Sequence, residues 1–185
     1  MKVSNIFAVF NDRLYTVQYE GEERPEYYRL FDEWSDIGGL EEFFEAHKAD
    51  LESGFYAPMT VEQAVWKTHS EAFDFEEKME NASEGGLDEL LDIFKPLSNT
   101  SHLEEMERSK AYGTEPKSWL RIYALRIAVN VYLVTGGAIK LVRTMQERPH
   151  LQSELDKLQI VKDYLIDRGI STTDDFFVFN IPFNE

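Results

Sequence analysis

Residues 118–143 read SWLRIYALRIAVNVYLVTGGAIKLVR, and the way this stretch folds decides how the remainder of the 185-residue chain is arranged. Ile122, Tyr123, Leu125, Ile127, Val131, Tyr132, Leu133 and Val134 are mostly β-branched or aromatic, the side chains that pack best on a pleated surface. Gly136-Gly137 stands between two apolar runs, where glycine reaches the positive φ of a two-residue primed turn at little steric cost. Asn130 suits a left-handed position in an earlier connection around 128–130. The stretch therefore predicts three antiparallel strands joined by two hairpins. In the first of them Arg121, Tyr123, Leu125 and Ile127 share one face and Leu120, Ile122, Ala124 and Arg126 the other. Apolar residues on both faces call for a sheet covered fully on one side and in part on the other.

A chain of this length suits one domain and buries about 70% of the surface it exposes unfolded. Thirteen Phe, nine Tyr and three Trp argue against disorder despite the charge. Without cysteine there is neither a disulfide framework nor a thiolate metal site. No run approaches the roughly 20 apolar residues of a membrane span, and the apolar run at 6–10 is too short for a signal-peptide core. The expected location is cytoplasmic, with no membrane partner.

Charge is unevenly spread. Residues 1–109 hold 9 basic and 26 acidic side chains, residues 110–148 hold 7 and 2, and residues 149–185 hold 3 and 7. The whole, at −16, repels polyanions at long range, while the middle segment alone attracts them. Two readings follow: the central arginines and lysines are consumed by carboxylates of the acidic helices, or they form a basic site inside an acidic shell.

Taken in order, residues 5–10 and 14–19 read as a hairpin turned at Asn11-Asp12-Arg13. Pro25-Glu26 opens a helix that runs to about Asp36 and is ended by Gly38-Gly39, and a second helix spans 40–51. Thr60-Val61-Glu62-Gln63 matches a capping box at the head of a long helix to about Asn81, with Val61, Val65, Thr68, Ala72, Phe75 and Met79 as its buried stripe and Trp66 and Phe73 widening it. Residues 87–94 form a short helix halted by Pro96; residues 97–117 are the least patterned, with a helical turn or two at 103–110. A helix over 151–168 closes at Gly169, and 176–181 reads as one more strand. The chain thus divides into an acidic hairpin-plus-helices region, 1–86, and an α+β region, 87–185, within one compact domain. The fold class is α+β, an antiparallel sheet with a C-terminal meander packed against several helices.

Chemical signatures are sparse. His47, His69, His102 and His150 have no zinc-site spacing, so no metal or cofactor is expected. His150 and Glu154, four apart near a helix start, are placed for an ion pair. Gly136-Gly137 followed by a strand is no phosphate loop, because no helix starts after it.

The motifs LRIYALRI and YLVTGGAIKL, followed by a terminal helix, resemble the C-terminal sheet of the RelE/ParE/HigB toxin superfamily over at most residues 87–168. The resemblance implies an antiparallel sheet flanked by helices, an action on messenger RNA or on gyrase, and silencing by a cognate antitoxin. It also implies that Arg121, Arg126, Lys140, Arg143 and Arg148 hold phosphates and that Tyr123 or Tyr132 stacks a base or shifts a proton. Arg126, Lys140 and Tyr132 are then the candidates for an endoribonuclease, with a ribose 2′-hydroxyl attacking the adjacent phosphate. Such toxins are small and basic, whereas this chain is larger and acidic. Two functions are carried forward: a toxin-antitoxin-related protein of RelE-like type that acts on RNA or is held by a protein partner, and a non-catalytic acidic module that binds a basic protein. A small-molecule enzyme is the third class.

Overall fold

The structure is a computed structural model that describes residues 1–10, 12–53, 55–85, 89–97 and 106–179. Six strands form one sheet: β1 (Val3–Phe10), β2 (Leu14–Tyr19), β3 (Phe94–Pro96), β4 (Glu107–Tyr112), β5 (Leu120–Ala128) and β6 (Val131–Ile139). Their order across the sheet is β1-β2-β6-β5-β4-β3, with every neighbouring pair antiparallel except β2 and β6. The helices are α1 (Glu26–Ser35), α2 (Ile37–Ala46), α3 (Lys48–Glu52), α4 (Val61–Glu84), α5 (Glu89–Ile93), α6 (Pro149–Asp167) and α7 (Thr173–Val178), with a 3-10 turn at Met145–Glu147. The fold is α+β, as expected, and the N-terminal hairpin joins the later strands in a single sheet.

Both faces of that sheet are covered. Leu14, Ile122, Ala124, Tyr132 and Val134 pack against Leu30, Phe31, Trp34, Phe44, Val65, Phe75 and Met79 of α1, α2 and α4. Tyr15, Val17, Tyr123, Leu125, Ile127 and Leu133 pack against Leu158, Val161 and Leu165 of α6 and Phe176 of α7. This is why β5 and β6 are apolar without a polar face. Several predicted ends are in place. Thr60 and Gln63 close the capping box of α4, and Gly169, at φ 74°, ends α6 while Ile170 N–H donates to the Leu165 carbonyl at 2.9 Å and buries its side chain.

The largest departure concerns Gly136-Gly137, which do not turn. β6 runs through them to Ile139, so one long hairpin, β5 to β6 through Asn130 at φ 60°, replaces the three short strands. The pair is glycine because adjacent strand residues point to opposite faces and a helix presses on each. A Cβ on Gly136 would lie 1.9 Å from Glu154 Oε2 of α6, and one on Gly137 would lie 2.7 Å from Leu30 Cδ1 of α1 and 2.6 Å from the Arg121 carbonyl oxygen.

Other corrections are local. Residues 107–110, expected as helix, belong to β4, whose Ser109 and Ala111 face inward while Arg108, Lys110 and Tyr112 alternate with them; residues 98–105 lie outside the described part. Residues 176–178 are helical, because Thr172 and Asp175 form a capping box that starts α7 and Phe176 is its buried anchor; Asn180 and Ile181 lie outside the described part. The break between the first two helices falls at Asp36, whose carboxylate caps α2 through Gly38 N–H, so Gly38 and Gly39 begin a helix instead of ending one. The predicted helix over 40–51 divides at His47, and the one over 87–94 gives way to β3 at Phe94. Trp66 and Phe73 stand on the outer face of α4, 54% and 56% exposed.

Candidate anion-binding cleft

The site is built by strand alternation. On β4, Arg108, Lys110 and Tyr112 are two apart and project to one side of the sheet; on β5, Arg121 and Tyr123 do the same. The register sets Tyr112 opposite Arg121 and Lys110 opposite Tyr123. After β6 the chain leaves the sheet, and Lys140, Arg143, Thr144, Met145 and Gln146 wall off one end, with Leu97 and Leu155 of α6 as apolar lining. The result is a cleft of about 560 Å³.

Among the described residues, five of its lining side chains are cationic and none is a carboxylate or a histidine. Among the described residues, no carboxylate is ion-paired with Arg108, Lys110, Arg121, Lys140 or Arg143. In a chain with 35 acidic and 19 basic side chains, that separation works against simple charge neutralisation. Neutral groups orient the cations. Arg121, almost fully buried, donates through Nη1 to the Ser118 and Leu120 carbonyls, both at 2.7 Å, and its guanidinium lies 4.1 Å from the centroid of the Tyr112 ring. Arg108 is held by the Gln159 side-chain amide oxygen. Lys140 Nζ donates to the Arg143 carbonyl at 2.6 Å. Burial, and then the positive charges of Arg121 and Lys110, hold the Lys140 ammonium below the usual lysine range, against a weaker opposing pull from Glu147. An anion entering the cleft relieves that repulsion and meets donors already in place.

The sequence candidates divide. Arg121, Lys140 and Arg143 meet in the cleft. Arg126, five residues from Arg121, lies on the other face of β5 with Glu107 Oε2 at 3.6 Å. Tyr132 is on that face too, stacked on Phe94 at 4.3 Å, buried, and pushed up to about 12 chiefly by desolvation. It neither stacks a base nor shifts a proton in this cleft. Arg148 is engaged by Asp50, Nε to Oδ2 at 2.9 Å. Tyr123 lines the cleft, yet its hydroxyl is spent on Met145 Sδ at 2.9 Å and burial pushes it well above the usual phenol range. His150 and Glu154 do not pair: the His150 Nε2 lies 3.3 Å from the Ile139 carbonyl oxygen, and Glu154 takes Lys157 at 2.9 Å. Burial holds the His150 imidazole below its usual range.

Arg108, Lys110 and Tyr112 escaped the sequence reading. The signal was present as the alternation Arg-Ser-Lys-Ala-Tyr over 108–112, a two-residue period hidden by the small size of its inward members. Among the described residues no group of three or more His, Asp or Glu side chains could hold a metal ion, and no helix is long and apolar enough to cross a membrane. No protein-family model matches the chain, and no significant similarity is found to a curated protein or to a solved structure.

Proposed function

We propose that the protein binds single-stranded RNA through the cleft of β4, β5 and the segment after β6, in the manner of a RelE-like toxin. The observation that supports this reading is the convergence of Arg108, Lys110, Arg121, Lys140 and Arg143 in one cleft that no carboxylate lines among the described residues. A wide polyanion such as duplex nucleic acid is repelled by the surrounding net charge of −16, whereas a strand that enters the cleft meets the cations at close range, where they outweigh the distant carboxylates. If the RNA is cut, attack by the 2′-hydroxyl on its neighbouring phosphate, forming a 2′,3′-cyclic phosphate while the bond to the 5′-oxygen of the next nucleotide breaks and that oxygen takes a proton from solvent, fits the lining. Arginine and lysine stabilise the charge that builds on the phosphorus oxygens. Lys140, with its lowered proton affinity, is the lining amine best suited to take a proton.

The reading is tested by primer extension on messenger RNA with purified ribosomes, together with RNA binding by the isolated protein. Wild type is expected to bind and to cleave, and Lys140→Ala/Arg143→Ala to do neither, while Arg126→Ala, altered on the opposite face, retains RNA binding. Binding that survives the double substitution removes the cleft as the RNA site; binding without cleavage removes only the nuclease.

A second reading, an acidic module held by a basic protein, is favoured by one further feature. Exposed Trp66 and Phe73 flank half-buried His69 in a ring-to-ring stripe on α4, with centroids 5.8 and 5.2 Å apart, beside Glu62, Asp74 and Glu77. Aromatic anchors three and four residues apart on an acidic helix fit an apolar groove rimmed by basic side chains.

A further inference from the structure

From the same cleft we infer that Tyr112 is the platform on which a nucleobase stacks, so that the ligand is gripped as a nucleotide unit, phosphate on the cations and ring on the tyrosine. This rests on the RNA reading above and adds to it the residue that distinguishes a nucleotide from a bare phosphate.

Tyr123 and Tyr132, the tyrosines singled out by the resemblance, are about 1% exposed and have no free face. Tyr112 is 40% exposed, sits at the end of β4 and lines the cleft. Its ring is already engaged from one side, because the cross-strand register places Arg121 opposite it with the guanidinium 4.1 Å from the ring centroid. Lys110 Nζ is 5.7 Å from the same centroid. Arg121 is itself fixed by two backbone carbonyls, so it acts as a rigid backing and does not leave with the ligand. An aromatic ring backed by a cation and open to solvent at the mouth of a cationic cleft offers a base what the buried tyrosines cannot. Base stacking on such a ring tolerates any sequence, since every base has a π-face. Lys140 and Arg143 lie in the same lining, and neither is neutralised by a carboxylate among the described residues. A ligand with a phosphate and a planar ring therefore satisfies both halves of the cleft, and one without the ring satisfies only the first.

The experiment compares three probes, inorganic phosphate, ribose 5-phosphate and adenosine 5′-monophosphate, titrated to millimolar concentration and followed by amide chemical shifts of the full chain. Wild type is expected to bind the nucleotide about tenfold more tightly than ribose 5-phosphate, the usual size of one base-on-aromatic stack. Tyr112→Ala is expected to bring the two affinities together, and Tyr112→Phe to keep the tenfold gap. Equal affinities in wild type, or a gap that persists in Tyr112→Ala, overturn the inference while leaving the anion cleft standing. Absence of binding by all three probes, with shifts unperturbed at Lys140 and Arg143, overturns the cleft reading and this inference together.

Discussion

Gly137 shows at a single residue how a side chain that is absent can fix a structure. In the middle of β6 a methyl group would be 2.6 Å from the Arg121 carbonyl oxygen, which belongs to the neighbouring strand and cannot swing away, and 2.7 Å from Leu30 Cδ1. Gly137→Ala is therefore expected to lower the unfolding free energy by about 1–3 kcal/mol, the usual cost of overpacking. Urea denaturation checks this, with a lower midpoint at unchanged slope. In a Leu30→Ala background the loss should be smaller, because one of the two clashes is gone. A hairpin-turn glycine has no such partner, so strict additivity would return Gly136-Gly137 to the turn that the sequence suggests. Arg121 and Arg126 make the complementary point: their spacing of five places them on opposite faces, and one lines the cationic cleft while the other faces Glu107.

At the scale of elements, long periodic segments were legible and short ones were not. The buried stripe of α4, the capping box at Thr60 and the glycine stop of α6 can be read from the chain because each repeats or terminates by local chemistry. β4 and α7 could not, because six residues contain too little periodicity, and the small residues of β4 and the aromatic run of α7 point to the wrong class. Half of the cleft, Arg121, Lys140 and Arg143, was visible within the basic middle segment; the other half rode on β4 and was lost with it. The outer face of α4 is ambiguous in the sequence for a different reason. Trp66 and Phe73 are seven apart, a spacing that fits a buried stripe as well as an exposed one, and only the packed arrangement shows which face is covered. If that face serves a partner, a small basic protein should copurify in a 1:1 ratio with wild type. Trp66→Ser/Phe73→Ser should release it while changing stability by no more than about 0.5 kcal/mol, as exposed positions do. Retention of the partner by the double variant, or copurification of RNA alone, removes the acidic-module reading.

Across the whole molecule, the two helical layers are tied through an opening in the sheet. β2 and β6 pair only as far as Thr16 and Val134, and beyond that point Lys157 of α6 reaches Glu26 of α1 at 2.5 Å while the Tyr19 hydroxyl donates to the Thr135 carbonyl at 2.7 Å. Glu154 shares the Lys157 ammonium at 2.9 Å, yet its other oxygen is buried without a hydrogen-bond partner among the described residues. Desolvation raises this carboxyl to about 7, with Lys157 opposing the shift and Glu26 adding to it. The folded chain thus keeps a proton that the unfolded chain releases near 4.5. Between those values the native state binds more protons than the unfolded one, so the contribution of Glu154 to stability falls as pH rises through this window and is level above it. The span corresponds to a loss on the order of 3 kcal/mol. Measured as urea midpoints from pH 4.5 to 8, the stability of wild type minus that of Glu154→Gln should decline toward pH 7 and then flatten, because glutamine matches the neutral acid in shape and cannot ionise. A difference that stays constant across this range would mean that Glu154 ionises as it does in water and that Lys157 is shared equally between two carboxylates. A declining one leaves the Lys157–Glu26 pair as the charged tie between the layers.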